Sequence, residues 1–179
     1  ELEALIRAQA EFALGHRAVA DLLLDPVLVE EKIDGSQFSF GRFGGELKVR
    51  SKGTVMVADA PEKMFAKAVE FAKVADLHDG WTYRAEWLSK PKHNTLAYSR
   101  VPKNGLALFD INVGEEDYLT ANQKHDEAER LGLEAVPLLY SGVVSNKDQI
   151  IAFLDCESFL GGQKIEGVVT LTLLPAPSL

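Results

Sequence analysis

The feature that most constrains the fold is a change of hydrophobic period at Pro26. Before it, residues 2–14 place Leu2, Leu5, Ile6 and Ala13 at helical spacing, Gly15 interrupts, and residues 18–24 continue as a second helical piece. After it the period is two. Val27, Val29, Glu31 and Ile33 alternate with Leu28, Glu30 and Lys32, and the alternation resumes over residues 37–43 and 46–51. Gly44-Gly45, between the last two runs, is a hairpin signal. Strands joined that tightly pair antiparallel.

Asp59 and Pro61 predict the opening of a helix whose stripe is Met64, Phe65, Ala68, Phe71, Ala72 and Ala75. Residues 80–88 read as a strand, with Trp81, Tyr83, Ala85 and Trp87 facing one way and Thr82, Arg84 and Glu86 the other. A basic loop follows to Asn104, then a short apolar strand over residues 106–111. Residues 120–131 form a polar-faced helix stopped by Gly132, and residues 136–140 a strand. Asn146 caps a helix running to about Leu154, and residues 165–173 close as a strand. This order predicts an α+β fold of largely antiparallel sheets flanked by helices. A length of 179 residues predicts a single domain.

No apolar run is long enough to span a bilayer, and the first residues lack a signal-peptide pattern, so a cytoplasmic setting without a membrane partner is expected. The lone Cys156 has no disulfide partner, which suits a reducing interior, and it is read as a small buried hydrophobe. His16, His78, His93 and His125 lack metal-ligand spacing, which argues against zinc. The net charge of -8 restricts any nucleic-acid contact to local basic clusters. Two exist, at Lys48, Arg50 and Lys52 and at Lys90, Lys92, Arg100 and Lys103. The acidic runs at 115–117 and 126–134 are read as solvated faces.

The segment Glu30-Glu31-Lys32-Ile33-Asp34-Gly35-Ser36 lies where a strand gives way to a turn. Lysine is a nucleophile only when deprotonated, and neighbouring cations or desolvation favour that form. Gly35 permits a sharp turn and close approach of a ligand, and Asp34 supplies a fixed acceptor. Taken alone, the segment equally describes an exposed turn lysine.

Lys32-Ile33-Asp34-Gly35-Ser36 resembles motif I of ATP-dependent ligases and capping enzymes, the covalent nucleotidyltransferases. Four further segments resemble that superfamily's later motifs in order: Val49-Arg50-Ser51-Lys52-Gly53, Tyr83-Arg84-Ala85-Glu86-Trp87-Leu88, Leu106-Ala107-Leu108-Phe109-Asp110-Ile111 and Ile165-Glu166-Gly167-Val168-Val169. The resemblance spans Ala18 to Val169 and is nearest to nick-sealing RNA ligases. It implies a nucleotidyltransferase domain with an ATP-grasp-like fold. Lys32 would attack the α-phosphate of ATP to give lysyl-AMP. Glu31 or Glu30 would lie near the adenine amino group, with Ile33, Asp34 and Gly35 completing the nucleotide-binding turn. Arg50 and Lys52 would contact phosphate of the nucleotide or the nucleic acid; the family usually has arginine in the slot Lys52 fills. Glu86 would hold the ribose hydroxyls. Phe109 would stack on adenine, although its apolar neighbours suit a core residue equally well. Glu166 would bind Mg²⁺ or Mn²⁺ or order its water shell. The partners implied are ATP and RNA ends or nicked RNA duplex; no protein partner is evident.

The lysine pair of motif V is absent after Lys164, and the C-terminal domain that many relatives carry does not follow. The expectation is weak or lost adenylation, with nucleotide binding retained. A DNA ligase, a GTP-using capping enzyme and a non-catalytic nucleotide- or RNA-end-binding module remain alternative readings.

Overall fold

The computed structural model describes residues 24–115 and 117–172. The helices expected over residues 2–14 and 18–24 lie outside them, apart from Leu24. The strands are β1 (Val27–Lys32), β2 (Ser36–Phe43), β3 (Glu46–Ser51), β4 (Val55–Met56), β5 (Thr82–Trp87), β6 (Leu106–Asn112), β7 (Glu134–Ala135), β8 (Leu138–Gly142) and β9 (Gly167–Thr172). The α-helices are α1 (Ala66–Val74), α2 (Ala121–Arg130) and α3 (Lys147–Ala152). The fold is α+β, as the alternating patterns predict.

The chain divides into two compact units. In the first, whose described residues are 24–32, 137–157 and 164–172, the sheet order is β8-β1-β9, antiparallel throughout. Its core is Val27, Val29 and Val144, with Tyr140, Ile150, Phe153 and Val168 packed around them. Asn146 caps α3 by accepting a hydrogen bond from the Gln149 amide. The last strand begins at Gly167 rather than residue 165, so Glu166 stands just ahead of it. The strand expected over 136–140 begins at Leu138, because the preceding residues belong to other structure: Val136 donates its amide to Leu108 and Pro137 accepts from Glu31. Cys156 is exposed, not buried. It ends a 3-10 turn over Phe153–Asp155, where no packing stripe reaches it.

The second unit, residues 33–136 and 158–163, holds the sheet β4-β3-β2-β5-β6-β7, antiparallel except for the short β6–β7 pair. Gly44 and Gly45 adopt φ of 60° and 80°, the left-handed pair that a two-residue hairpin demands, and Phe43 pairs with Glu46 across it. One sheet face is core: Phe38, Phe40, Val49, Tyr83, Ala85, Leu106, Leu108 and Ile111 are buried there. Phe65, Ala68, Val69 and Ala72 of the α1 segment join that core. The helix starts later than Pro61 suggests, after a 3-10 turn over Lys63–Phe65, and this leaves Met64 exposed. A capping box between Thr120 and Gln123 opens α2, and Gly132 follows its end at φ 70°.

Candidate functional site

In the first unit, Lys32 ends β1 and pairs across the sheet with Gly167 of β9. That pairing brings Glu166 beside it, and Lys32 Nζ donates to Glu166 Oε1 at 2.6 Å. The Lys32 side chain is 51% exposed, so the amine stands at the surface of its unit rather than at the floor of a cavity. It must give up a proton and this hydrogen bond before it can act as a nucleophile. The other carboxylate oxygen of Glu166 is buried and has no hydrogen-bond partner among the described residues. Such an oxygen invites a cation or a cation's water, since an unmatched buried acceptor is costly. Mg²⁺ commonly takes one or two protein carboxylates, with water and substrate phosphates in its other positions, so a single donor fits. No cluster of three or more metal-ligating side chains occurs among the described residues. Glu30 and Glu31, expected on opposite faces of β1, are both buried. A break in the β1–β8 register falls between Val29 and Glu30, which upsets the alternation there.

The second unit carries Ile33, Asp34, Gly35, Arg50, Lys52, Glu86 and Phe109. Ile33 is buried with Leu88, Tyr98 and Leu160. Asp34 is the fixed acceptor the sequence suggests, but its partners are remote. Its Oδ2 accepts the amides of Thr95 and Leu96 at 2.8 and 2.7 Å. The Asp34 amide donates to the Tyr98 hydroxyl, and Asn94 Nδ2 donates to the Gly35 carbonyl. A Cβ on Gly35 would come within 3.0 Å of Glu86 Cβ and the Trp87 carbonyl, so only glycine lets this turn lie so close to β5. His93 completes the clamp. Its Nδ1 accepts the Ser89 amide, which leaves the neutral ring's proton on Nε2, 2.9 Å from Ser36 Oγ. Burial holds the His93 pKa below its ordinary value, countered by Asp34. The basic loop therefore fastens the turn after Lys32, a role its composition does not announce. Arg100, grouped by sequence with the other cations of this loop, makes a two-pronged ion pair with Glu134.

Opposite the core, the outward face of this sheet is polar and follows the register in rows. Lys48 and Gly41 lie in one row; Arg50, Ser39, Arg84 and Asp110 lie in the next; Gln37 and Glu86 follow. Glu86 thus sits on the polar face that alternation predicts for it. Phe109 is the extra residue of a β-bulge, since Ala85 pairs with Leu108 and Arg84 with Asp110. Phe109 shares the side of Ala107, half-buried against the Ile33 cluster, and the bulge then returns Asp110 to the outward face and Ile111 to the main core. Burial pushes the Asp110 carboxyl up, opposed by Arg84 at 2.7 Å. A hollow of about 510 Å³ opens on this face, lined by Lys48, Arg50, Lys52, Arg84, Ser39 and Phe43 among others.

The RNA ligase family profile matches residues 25–171. No curated protein matches the chain. Solved structures do, among them the RNA ligase of Naegleria gruberi with PPi, at a TM-score of 0.69 and 18% identity, covering 87% of this chain and 49% of that one. A lysine variant of that ligase with ATP and Mn matches at a TM-score of 0.64 and 19% identity, with 87% and 49% coverage. A glutamate variant with AMP and Mn matches at 0.66 and 18%, with 87% and 48% coverage. At this identity the likeness carries the fold, and the chain spans about half the length of the structures it matches.

Proposed function

This chain belongs to the RNA ligase family, and from that premise we propose that it is the nucleotide-binding domain of an ATP-dependent RNA ligase, with Lys32 as the nucleophile. The deprotonated Lys32 amine attacks the α-phosphorus of ATP. The bond to the β-phosphate oxygen breaks, pyrophosphate leaves, and a lysyl-AMP phosphoramidate remains. An RNA 5′-phosphate oxygen then attacks that phosphorus and releases the lysine. A 3′-hydroxyl next attacks the activated 5′-phosphate, sealing the strand and expelling AMP.

The observation that carries this reading is the Lys32–Glu166 pair. Two residues 134 positions apart, each inside a separate motif-like segment, are neighbours because β1 and β9 pair in that register. Glu166 keeps the amine oriented, and its buried unmatched oxygen is suited to Mg²⁺ or Mn²⁺ or a bound water. When bound, that ion neutralises phosphate charge. The Naegleria gruberi ligase structures with ATP or AMP contain Mn, in keeping with such an ion here. Glu86 accepts the ribose hydroxyls, Phe109 stacks on adenine, Glu30 or Glu31 faces the adenine amino group, and Arg50 and Lys52 meet phosphate. Ile33, Asp34 and Gly35 form the backbone turn that the loop clamp holds. Attack needs in-line placement more than added chemistry, so this fastening matters.

Intact-mass measurement after incubation with ATP and Mg²⁺ tests the proposal. With no lysine after Lys164 in this sequence, at most a weak AMP adduct is expected, and Lys32→Ala should abolish it. An adduct that persists in Lys32→Ala overturns the assignment of the nucleophile. Labelling by GTP in place of ATP points to a capping enzyme, sealing of nicked DNA but not RNA to a DNA ligase, and nucleotide binding with no adduct to a non-catalytic module.

A further inference from the structure

We infer that the basic hollow on the outward face of β2, β3 and β5 binds the phosphate backbone of a single-stranded stretch of RNA, with Phe43 as a stacking platform for a base. The inference takes its polymer from the function proposed above and extends it to Lys48, Arg84 and Phe43, which lie outside the roles given there.

Three observations carry it. The first is charge. In a chain of net charge -8, this hollow gathers Lys48, Arg50, Lys52 and Arg84, and among the described residues no acidic side chain lines it. Lys48 pairs with Glu46 at its rim and Arg84 with Asp110, whereas neither Arg50 nor Lys52 has an ion-pair partner among the described residues. Arg50 and Lys52, side by side without such counter-charges, repel one another, and a polyanion relieves that repulsion while releasing its own counterions.

The second is spacing. Lys48 and Arg50 project from the same face of one strand, two residues apart, and Lys52 follows just past its end. Two residues of strand advance about 6.7 Å. That repeat suits consecutive phosphates along a nucleic-acid strand. The third is the aromatic. Phe43 is 41% exposed and lines the same hollow. A cationic track beside an exposed ring is how single strands are held without regard to sequence.

Fluorescence anisotropy of a 5′-phosphorylated oligoribonucleotide against the 179-residue chain, over a range of salt, tests this. Affinity should fall as salt rises. Lys48→Glu should weaken binding several-fold for any sequence and flatten the log–log salt slope by about 0.7 for each phosphate no longer neutralised. Phe43→Ala should weaken binding roughly fivefold or more and leave the slope unchanged. Both side chains are exposed, and circular dichroism melts check that each variant folds. The inference is overturned if the wild-type chain does not bind the strand, or if both variants bind as wild type does. It is also overturned if the variants keep strand binding but need more ATP for adduct formation, which would make the hollow a polyphosphate seat. Binding is read on Lys32→Ala as well. A missing adduct then counts against the ligase chemistry, and strand binding is judged separately.

Discussion

The two units are built to different standards. The second stacks aromatic rings through its core: Phe38 lies 5.3 Å from Phe40 and 5.7 Å from Phe65, and Phe40 lies 5.3 Å from Tyr83, all near-parallel. Among its described residues, the first has three fully buried valines and leaves Leu138, Val143, Val169 and Leu171 substantially exposed. The residues assigned to ribose, adenine stacking and phosphate ride on the dense unit, and the proposed nucleophile rides on the lean one. Local opening follows the amount of buried apolar surface, so the lean unit should open at lower free energy. A rigid recognition surface with a looser nucleophile would suit the function proposed above, in which Lys32 bonds to AMP and then releases it.

Core truncation should make the contrast plain. Phe38→Ala removes a fully buried ring from the stack and should cost about 3–5 kcal/mol. Val29→Ala, also fully buried, should cost about 2 kcal/mol. Hydrogen exchange of β5 amides reports the first and of β1 amides the second. Equal losses, or a greater loss at Val29, would break the comparison.

Next in size is the buried polar knot of the dense unit. Glu127 accepts the Tyr83 hydroxyl at 2.9 Å and two Arg130 nitrogens at 2.7 and 2.8 Å. Burial alone would raise the Glu127 pKa; hydrogen bonds from Arg130 and Tyr83 overcome it and hold the group below its ordinary range. Burial also pushes the Tyr83 hydroxyl up. Glu127→Gln should cost about 1–3 kcal/mol, read from a denaturant midpoint. Its sign with pH follows from the lowered pKa. The stabilisation is complete above the unfolded carboxylate value, near 4.3, and is lost as pH falls through the folded one. The gap between wild type and variant should therefore close in acid.

What the sequence discloses follows from the range of the interactions involved. The polar and buried faces of β5, the Gly44-Gly45 hairpin and the Asn146 cap rest on neighbours within a few positions, and all are legible. Phe109 is not. Leu106-Ala107-Leu108-Phe109 is apolar at every position, so the sequence does not show that its two faces serve separate clusters, Leu106 and Leu108 in one and Ala107 and Phe109 in the other. Ile165 and Val168 frame Glu166 as a strand residue, yet pairing starts one residue later. The partners of Asp34 lie 61 and 62 positions away, in a loop whose lysines are more conspicuous than its amides. Cys156 defeats a reading from composition, which gives a residue's habit and not its place in a turn.

The smallest expected change lies in that loop, and it should reach one unit and not the other. His93 accepts the Ser89 amide at Nδ1, and a protonated imidazole has no acceptor to offer. Because burial lowers its pKa in the folded chain, the clamp's contribution is full above the unfolded value, near 6.5. It declines as pH falls through the folded value. The groups bearing on the ring are Asp34, which favours its charge, and Lys90, which opposes it. Acidification from about pH 7.5 to about 5, values chosen to bracket that ordinary histidine range, should speed amide exchange at Ser89 beyond the intrinsic pH trend. Exchange at Val27 and Val29, in the other unit, should follow the intrinsic trend alone. His93→Gln should remove the extra pH dependence at Ser89, since its amide group does not titrate in this range. If β1 loosened in step with the loop, or if His93→Gln kept the full acid response, the clamp would not be the titrating element and the two units would not be responding separately.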